Sequence, residues 1–365
     1  RIVDTRMNFV ENTFNVLFLG SGVSTAVPNL THILYCNNGS TSKDSEADLS
    51  YPKNCDVCIE AMSNNKSRNR RNNVSIAVIF DELKPIIHEG ENVKKCQRVV
   101  VIDVGKTMRE AFLTLLPRYG LKKIDSIILT HGHADAIFGL DDIRDLQICK
   151  TVKVEADRTL NTESSTNSNV TEIGFKILSE PMNIYLNHET KEVVDQCFSY
   201  LIAEPEFLDE KNRILKRRVA LLNFHIIDSS STFNVFGLPI RSFPVFHGGE
   251  YISLGFSIGK EAEFVYISDV KIIPKDTMEY LKSIGRIGTL VLDALNTTTG
   301  VWSHMGMEEA LQVAEILNPK IVYFTGMSCS IGMHDEVEAR LAKLGTTFEC
   351  HLAYDGLLLE GFQGH

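Results

Sequence analysis

Thr130-His131-Gly132-His133-Ala134-Asp135-Ala136 follows directly on the apolar run Ile127-Ile128-Leu129. Such a run reads as a buried strand, so two imidazoles and a carboxylate are delivered together at its C-terminal edge. Residues i and i+2 of an extended or tightly turning segment face the same side, which lets His131 and His133 grip one ion while Asp135 leans toward a second. Ala136, next in line, offers no ligand atom.

Working outward, residues 14–19 read as a first strand ended by the turn Gly20-Ser21-Gly22. The β-branched runs 74–80 and 99–102 resume the sheet, and 107–119 places Met108, Ala111, Phe112 and Leu115 at helical spacing before Gly120. The second half repeats the alternation, with strands at 224–227, 240–245, 252–258, 264–267, 289–292 and 321–324 and a helix at 307–317. This pattern predicts an α/β chain, an αββα sandwich of two mixed sheets with helices on the outer faces. Four polar inserts, near 37–50, 63–73, 84–97 and 155–173, interrupt what reads as a single domain over residues 1–365. The first two are expected as surface excursions, the third as a loop or hairpin, and the low-complexity stretch 155–169 as disordered.

With 44% hydrophobic residues the 365-residue chain supports a substantial core. A formal charge of -10 disfavours a surface built to coat nucleic acid. The dense positive cluster Lys66-Ser67-Arg68-Asn69-Arg70-Arg71 reads as a solvated loop. No apolar stretch approaches the roughly 20 residues needed to span a bilayer, and residues 1–11 lack a segment of signal-peptide length, so a cytoplasmic, membrane-free protein is expected. In that setting eight cysteines argue for thiols and metal ligands rather than a disulfide framework. Cys55-Asp56-Val57-Cys58 forms a C-x-x-C pair with Cys36 upstream, while Cys96, Cys149, Cys197, Cys329 and Cys350 are scattered.

Several candidate site residues stand where a strand has just ended: His247, Asp269, Asp293 and Thr325-Gly326. Together with the histidine run, Leu19-Gly20-Ser21-Gly22-Val23-Ser24 to Pro28, Ile102-Asp103-Val104-Gly105, Gly139-Leu140-Asp141-Asp142-Ile143-Arg144, Ser303-His304-Met305 and Tyr354-Asp355-Gly356 give the chain a specific likeness. It resembles the metallo-β-lactamase superfamily, and more narrowly the branch of cyclic phosphodiesterases used in phosphonate breakdown, which is related to tRNase Z.

The resemblance implies a first metal on His131, His133 and His247, with Asp269 bridging to a second metal held also by Asp135. Zinc suits three imidazoles and a carboxylate, with manganese or nickel as alternatives. The family's two further second-site histidines are replaced here by Ala136 and Gly326, so a one-metal centre is expected. His304 takes the place of a histidine that contacts the scissile phosphate and protonates the leaving oxygen, and with Asp135 it is the expected catalytic pair. Read on its own, His304 has as its alternative an exposed loop histidine bonded to backbone. His334 reads as a capping or surface residue, and Asp103-Val104-Gly105 as a structural turn.

The same branch carries a structural zinc on three cysteines and a histidine. Cys329 stands in this chain at the histidine's place, so Cys36, Cys55, Cys58 and Cys329 are expected to form an all-thiolate zinc site, against the alternative of unrelated thiols. The expected function is metal-dependent hydrolysis of a small or cyclic phosphodiester by hydroxide generated at the metal, with that small substrate as partner and a homodimer allowed. The alternatives are a catalytically degenerate metal-binding protein and a tRNase Z-like RNA-processing nuclease. The acidic chain and the lack of a basic gripping arm weigh against the nuclease.

Overall fold

The computed structural model describes residues 13–34, 55–84, 94–155, 171–202 and 207–364. Among these, one seven-stranded sheet runs edge to edge as Leu222–Ile226, Met182–Leu186, Ser126–Ile128, Lys94–Ile102, Ser75–Lys84, Thr13–Gly20 and Leu358–Gln363. A second runs Thr232–Val235, Leu238–Phe246, Ile252–Ile258, Phe264–Ile267, Thr289–Asp293, Ile321–Thr325 and Glu349–Leu352. Both sheets mix parallel and antiparallel pairs, as expected.

Period-2 side-chain alternation explains how the layers assemble. Phe14, Val16 and Phe18 face Phe256, Phe264, Tyr266 and Val291 of the other sheet, filling the space between the two. Their neighbours Leu17 and Leu19 point the opposite way, onto Met108, Phe112 and Leu115 of the helix Met108–Leu115. On the second sheet Val265, Ile267, Leu290 and Leu292 likewise turn outward and pack with Ala310, Ala314 and Leu317 of the helix Met307–Leu317. Strands buried on both faces read as nearly continuous apolar runs for this reason. The layers are helix, sheet, sheet, helix.

Among the polar segments, one differs from the sequence reading. Residues 63–73 are not a surface excursion throughout, because Asn69, Arg71, Asn72 and Asn73 are buried. Several of their polar groups are paired internally: Arg71 donates to the Ser328 carbonyl (3.0 Å), Asn72 N–H donates to Asp355 (2.7 Å), and the Asn73 amide donates to the Val23 and Ser24 carbonyls. The 84–97 segment is a hairpin whose strands run to Lys84 and resume at Lys94, with 85–93 outside the described residues. The 155–173 stretch is flanked by paired strands, Cys149–Glu155 and Thr171–Ile177, which belong to a four-stranded sheet with Phe207–Asp209 and Ile214–Leu215. Residues 156–170 and the 37–50 insert lie outside the described residues. Among the described residues no helix is long and apolar enough to cross a membrane.

Parallel pairing of Phe264–Ile267, Thr289–Asp293, Ile321–Thr325 and Glu349–Leu352 brings their C-terminal ends to one edge. The Ser126–Ile128 strand of the facing sheet ends at the same place, where Leu254 N–H donates across to the Thr130 carbonyl at 3.0 Å. The loops that carry the candidate residues leave from this shared edge.

Candidate metal and hydrolytic site

His131, His133 and His247 come together with one ring nitrogen of each within 4.8 Å of the others. Their ring centroids lie 4.6 Å apart for His131 and His133, 5.0 Å for His131 and His247, and 5.1 Å for His133 and His247. Hydrogen bonds at the far nitrogens set the tautomers. His131 Nδ1 lies 2.8 Å from Thr130 Oγ1, and that hydroxyl donates to Asp103 Oδ2 at 2.8 Å, so it accepts from the imidazole. His247 Nδ1 donates to the Ser303 carbonyl at 2.8 Å. Both rings therefore present a bare Nε2 toward the trio, the arrangement a metal requires. Burial, with the neighbouring His247 adding to it, holds His131 well below the usual histidine range. His133 is the exposed member, with its ring stacked on Tyr251 at 4.7 Å and 1°.

Asp103 has more to do than shape a turn. It is buried with φ 64, and its two oxygens take the Thr130 N–H (2.8 Å) and hydroxyl (2.8 Å), fixing the residue before His131. Burial pushes its carboxyl well above the ordinary range, against those two hydrogen bonds. The sequence offered no signal for this relay beyond a threonine preceding the histidine.

A second trio shares His247. Its nitrogen, an Asp269 oxygen and a His304 nitrogen also fall within 4.8 Å of one another, all buried. Asp135, by contrast, lies buried at the start of the helix Ala134–Ile137 and joins neither trio, although its charge acts on His131, His133 and His304. His304 is not a solvent-facing loop residue, since its Nδ1 lies 2.7 Å from Asp293 Oδ2. Burial opposes the imidazolium, yet the Asp293 charge and hydrogen bond more than compensate, with Asp269 and Asp135 adding, and raise His304 to about 9. Burial in turn pushes Asp293 up to about 6 against its attraction to His304.

The positions that lack second-site histidines are not empty space. Ala136 packs in the apolar core behind the first sheet. Gly326 adopts φ 68, and a Cβ there would lie 2.4 Å from Asp293 Oδ1. Asp293 thus fills the room a side chain at 326 would need. Its Oδ1 has no partner among the described protein groups, and neither do the buried His131 Nε2 and Asp269 Oδ2. Buried polar atoms left in this way are costly unless an ion or water completes them, so the donor set fits a divalent metal on three imidazoles and Asp269.

Among the described residues the thiol cluster includes an imidazole that the all-thiolate expectation left out. Cys55, Cys58 and Cys329 assemble with His32, their ligand atoms within 4.8 Å, while Cys36 lies outside the described residues. His32 comes from the short helix Leu30–Leu34, and its Nδ1 is 3.4 Å from the sulfurs of both Cys58 and Cys329. The Asn29 N–H also donates to the Cys58 sulfur at 3.4 Å. The hydrogen bond from Cys329 pulls the Cys58 thiol down to about 5, against burial, while the same bond pushes Cys329 up. Three sulfurs and an imidazole with a thiolate among them fit zinc. His334 is buried rather than a surface residue, and its backbone N–H donates to Asn69 at 2.9 Å.

Comparison with known proteins agrees with this geometry. The profile of the beta-lactamase superfamily domain matches residues 173–327, and that of the metallo-beta-lactamase superfamily matches residues 93–210. No curated protein matches the sequence. Among solved structures, a diphosphatase of the PhnP family is 26% identical over 96% of this chain and 97% of its own, with a TM-score of 0.61. The metallo-beta-lactamase fold protein YhfI from Bacillus subtilis is 12% identical over 96% and 100%, with a TM-score of 0.55. The short form of human tRNase Z is 14% identical over 94% and 98%, with a TM-score of 0.49. Two overlapping profiles of one superfamily, the helix–sheet–sheet–helix layering and histidines gathered at the shared sheet edge lead to one assignment: residues 93–327 carry a metallo-β-lactamase superfamily domain.

Proposed function

We propose that this protein is a metal-dependent hydrolase that cleaves a small phosphodiester or diphosphate. The observation that carries the reading is the junction of the two trios at His247, which sets a cationic His304 beside a metal-binding group of imidazoles. His131, His133, His247 and Asp269 would hold the ion, zinc by the chemistry of the donors and manganese or nickel as alternatives. A divalent ion bound there supplies a Lewis acid and lowers the pKa of water toward about 7.

The chain's own residues supply the rest. Thr130 and the Ser303 carbonyl orient the two imidazoles so that neither rotates away from the ion. Asp293 favours the protonated form of His304 through its charge and hydrogen bond, and that proton would be available to a phosphoryl oxygen or to the departing alkoxide. Similarity to the PhnP-family diphosphatase supports phosphorus as the reacting centre. The formal charge of -10 favours a small substrate over RNA.

Purified protein supplied with zinc or manganese is expected to hydrolyse bis-p-nitrophenyl phosphate or a cyclic phosphate, and His133→Ala to abolish that turnover. Absence of hydrolysis with every divalent ion tried would refute the reading. A second reading, a catalytically degenerate metal binder, is favoured by one observation, the loss of ligand atoms at Ala136 and Gly326. Mass spectrometry of metal content separates the two: zinc at the thiols with no transition metal at the histidines supports degeneracy.

A further inference from the structure

Trp302 is the one tryptophan of the chain, and it stands 78% exposed. An indole left in water is informative chiefly through its location, because aromatic rings usually bury large apolar areas. Here it sits between two parts of the site. The next residue, Ser303, holds His247 by its carbonyl, and His304 follows.

The indole lies over Gly248-Gly249, the residues immediately after His247. A Cβ at Gly248 would stand 3.1 Å from the indole Nε1, and one at Gly249 would stand 3.3 Å from Cζ2, with φ 91 and 57 at the two positions. Side chains at this diglycine would crowd the ring. The same turn is closed by His247 N–H to the Tyr251 carbonyl (2.8 Å) and Tyr251 N–H to the Gly248 carbonyl (3.1 Å), and Tyr251 stacks on His133. One short turn therefore carries a histidine of the trio at one end, the support of the second histidine at the other, and the floor of the indole between them.

The loop that presents Trp302 is fastened on both sides. Glu309 Oε2 accepts from the backbone N–H groups of Gly300 (2.7 Å) and Gly306 (2.9 Å), and Oε1 holds Lys271 at 2.7 Å. Met305 N–H donates to the Val270 carbonyl at 2.8 Å. An exposed aromatic ring on a loop anchored this way is pre-organised for a contact.

Resting on the hydrolase reading, we infer that Trp302 is a specificity-determining platform that stacks the base of a small nucleotide whose phosphoryl group lies at the histidines. An indole face accepts any base, each stacked base contributing about 1–3 kcal/mol. The acidic chain disfavours the many phosphate contacts a polymer would need, so a mononucleotide unit carrying one base fits the single platform.

The test titrates the full chain with adenosine 5′-monophosphate and, separately, ribose 5-phosphate, following emission of its one tryptophan. Saturable quenching is expected with the nucleotide and none with the sugar phosphate. By calorimetry Trp302→Ala should weaken nucleotide binding about tenfold, and Trp302→Phe should restore most of it. Unchanged circular dichroism confirms that both variants fold. The ratio of kcat/KM for an adenosine-bearing diester to that for glycerophosphocholine falls correspondingly in Trp302→Ala. Equal affinity of wild type and Trp302→Ala for the nucleotide, or equal binding of nucleotide and sugar phosphate, overturns the platform. Nucleotide quenching without hydrolysis of any diester or diphosphate overturns the hydrolase reading and leaves the platform standing.

Discussion

Replacing Gly326 by alanine tests whether Asp293 has taken over the room of a second-site ligand. The backbone at 326 sits at φ 68, where an L-residue pays about 1–2 kcal/mol relative to glycine. The new methyl would stand 2.4 Å from Asp293 Oδ1. Asp293 cannot swing aside freely, because Oδ2 accepts from the Val270 N–H (3.2 Å) and bonds to His304 (2.7 Å). Overpacking of this kind costs about 1–3 kcal/mol. Gly326→Ala should therefore lose about 2–5 kcal/mol, a sizeable part of an ordinary domain's stability. Urea unfolding followed by circular dichroism reads the loss as a lower midpoint at unchanged slope. In the double variant with Asp293→Ala the losses should fall short of additivity by about 1 kcal/mol or more, since one change removes the clash of the other. A wild-type midpoint for Gly326→Ala, or strict additivity in the double variant, refutes the argument.

Other expectations follow from the hydrogen bonds around the histidines. His304 has its native pKa raised to about 9 from an ordinary 6.5, so its stabilisation is complete below pH 6.5 and is lost as pH rises through about 9. In chelated protein His304→Gln should flatten that decline, and an unchanged pH profile of stability would count against the Asp293–His304 pair. Thr130→Val removes the acceptor of the His131 Nδ1–H and should weaken metal binding at the histidines about 10- to 100-fold, read by competition with a chromophoric chelator. Retained affinity would show that the relay to Asp103 does not orient the ring. His32→Ala should lower zinc retention at the thiols, measured by mass spectrometry after dialysis, whereas full retention would place the fourth ligand elsewhere.

The sequence was most legible where one local rule decided the outcome. Apolar runs buried on both faces marked the strands ending at Ile128, Phe246 and Ile267, and helical spacing marked 307–317 with its ends in place. His131, His133 and His247 could be read because strand ends carry ligands in such folds. Asp293 was visible as a strand-ending carboxylate, but its contact with His304 and its hold on the space above Gly326 exist only once two loops meet. His32 was hidden for a similar reason, because it joins Cys329 across 297 positions of chain. The 63–73 segment misled by composition: its asparagines and Arg71 look solvated until they are seen to pair with internal carbonyls and Asp355. The small sheet at 149–215 has short strands around a polar stretch, which left little periodicity to detect.

The segment Gly326-Met327-Ser328-Cys329 joins the two candidate centres directly. Fully extended, three residues reach only about 10–11 Å. The segment is also tied along its length, by Met327 N–H to the Ser21 carbonyl (3.0 Å) and by Arg71 to the Ser328 carbonyl (3.0 Å). The wall of the cleft opposite Asp293 is thus tethered to a sulfur-rich anchor. A displacement of Cys329 therefore has little slack chain in which to dissipate before it reaches the backbone packed against Asp293.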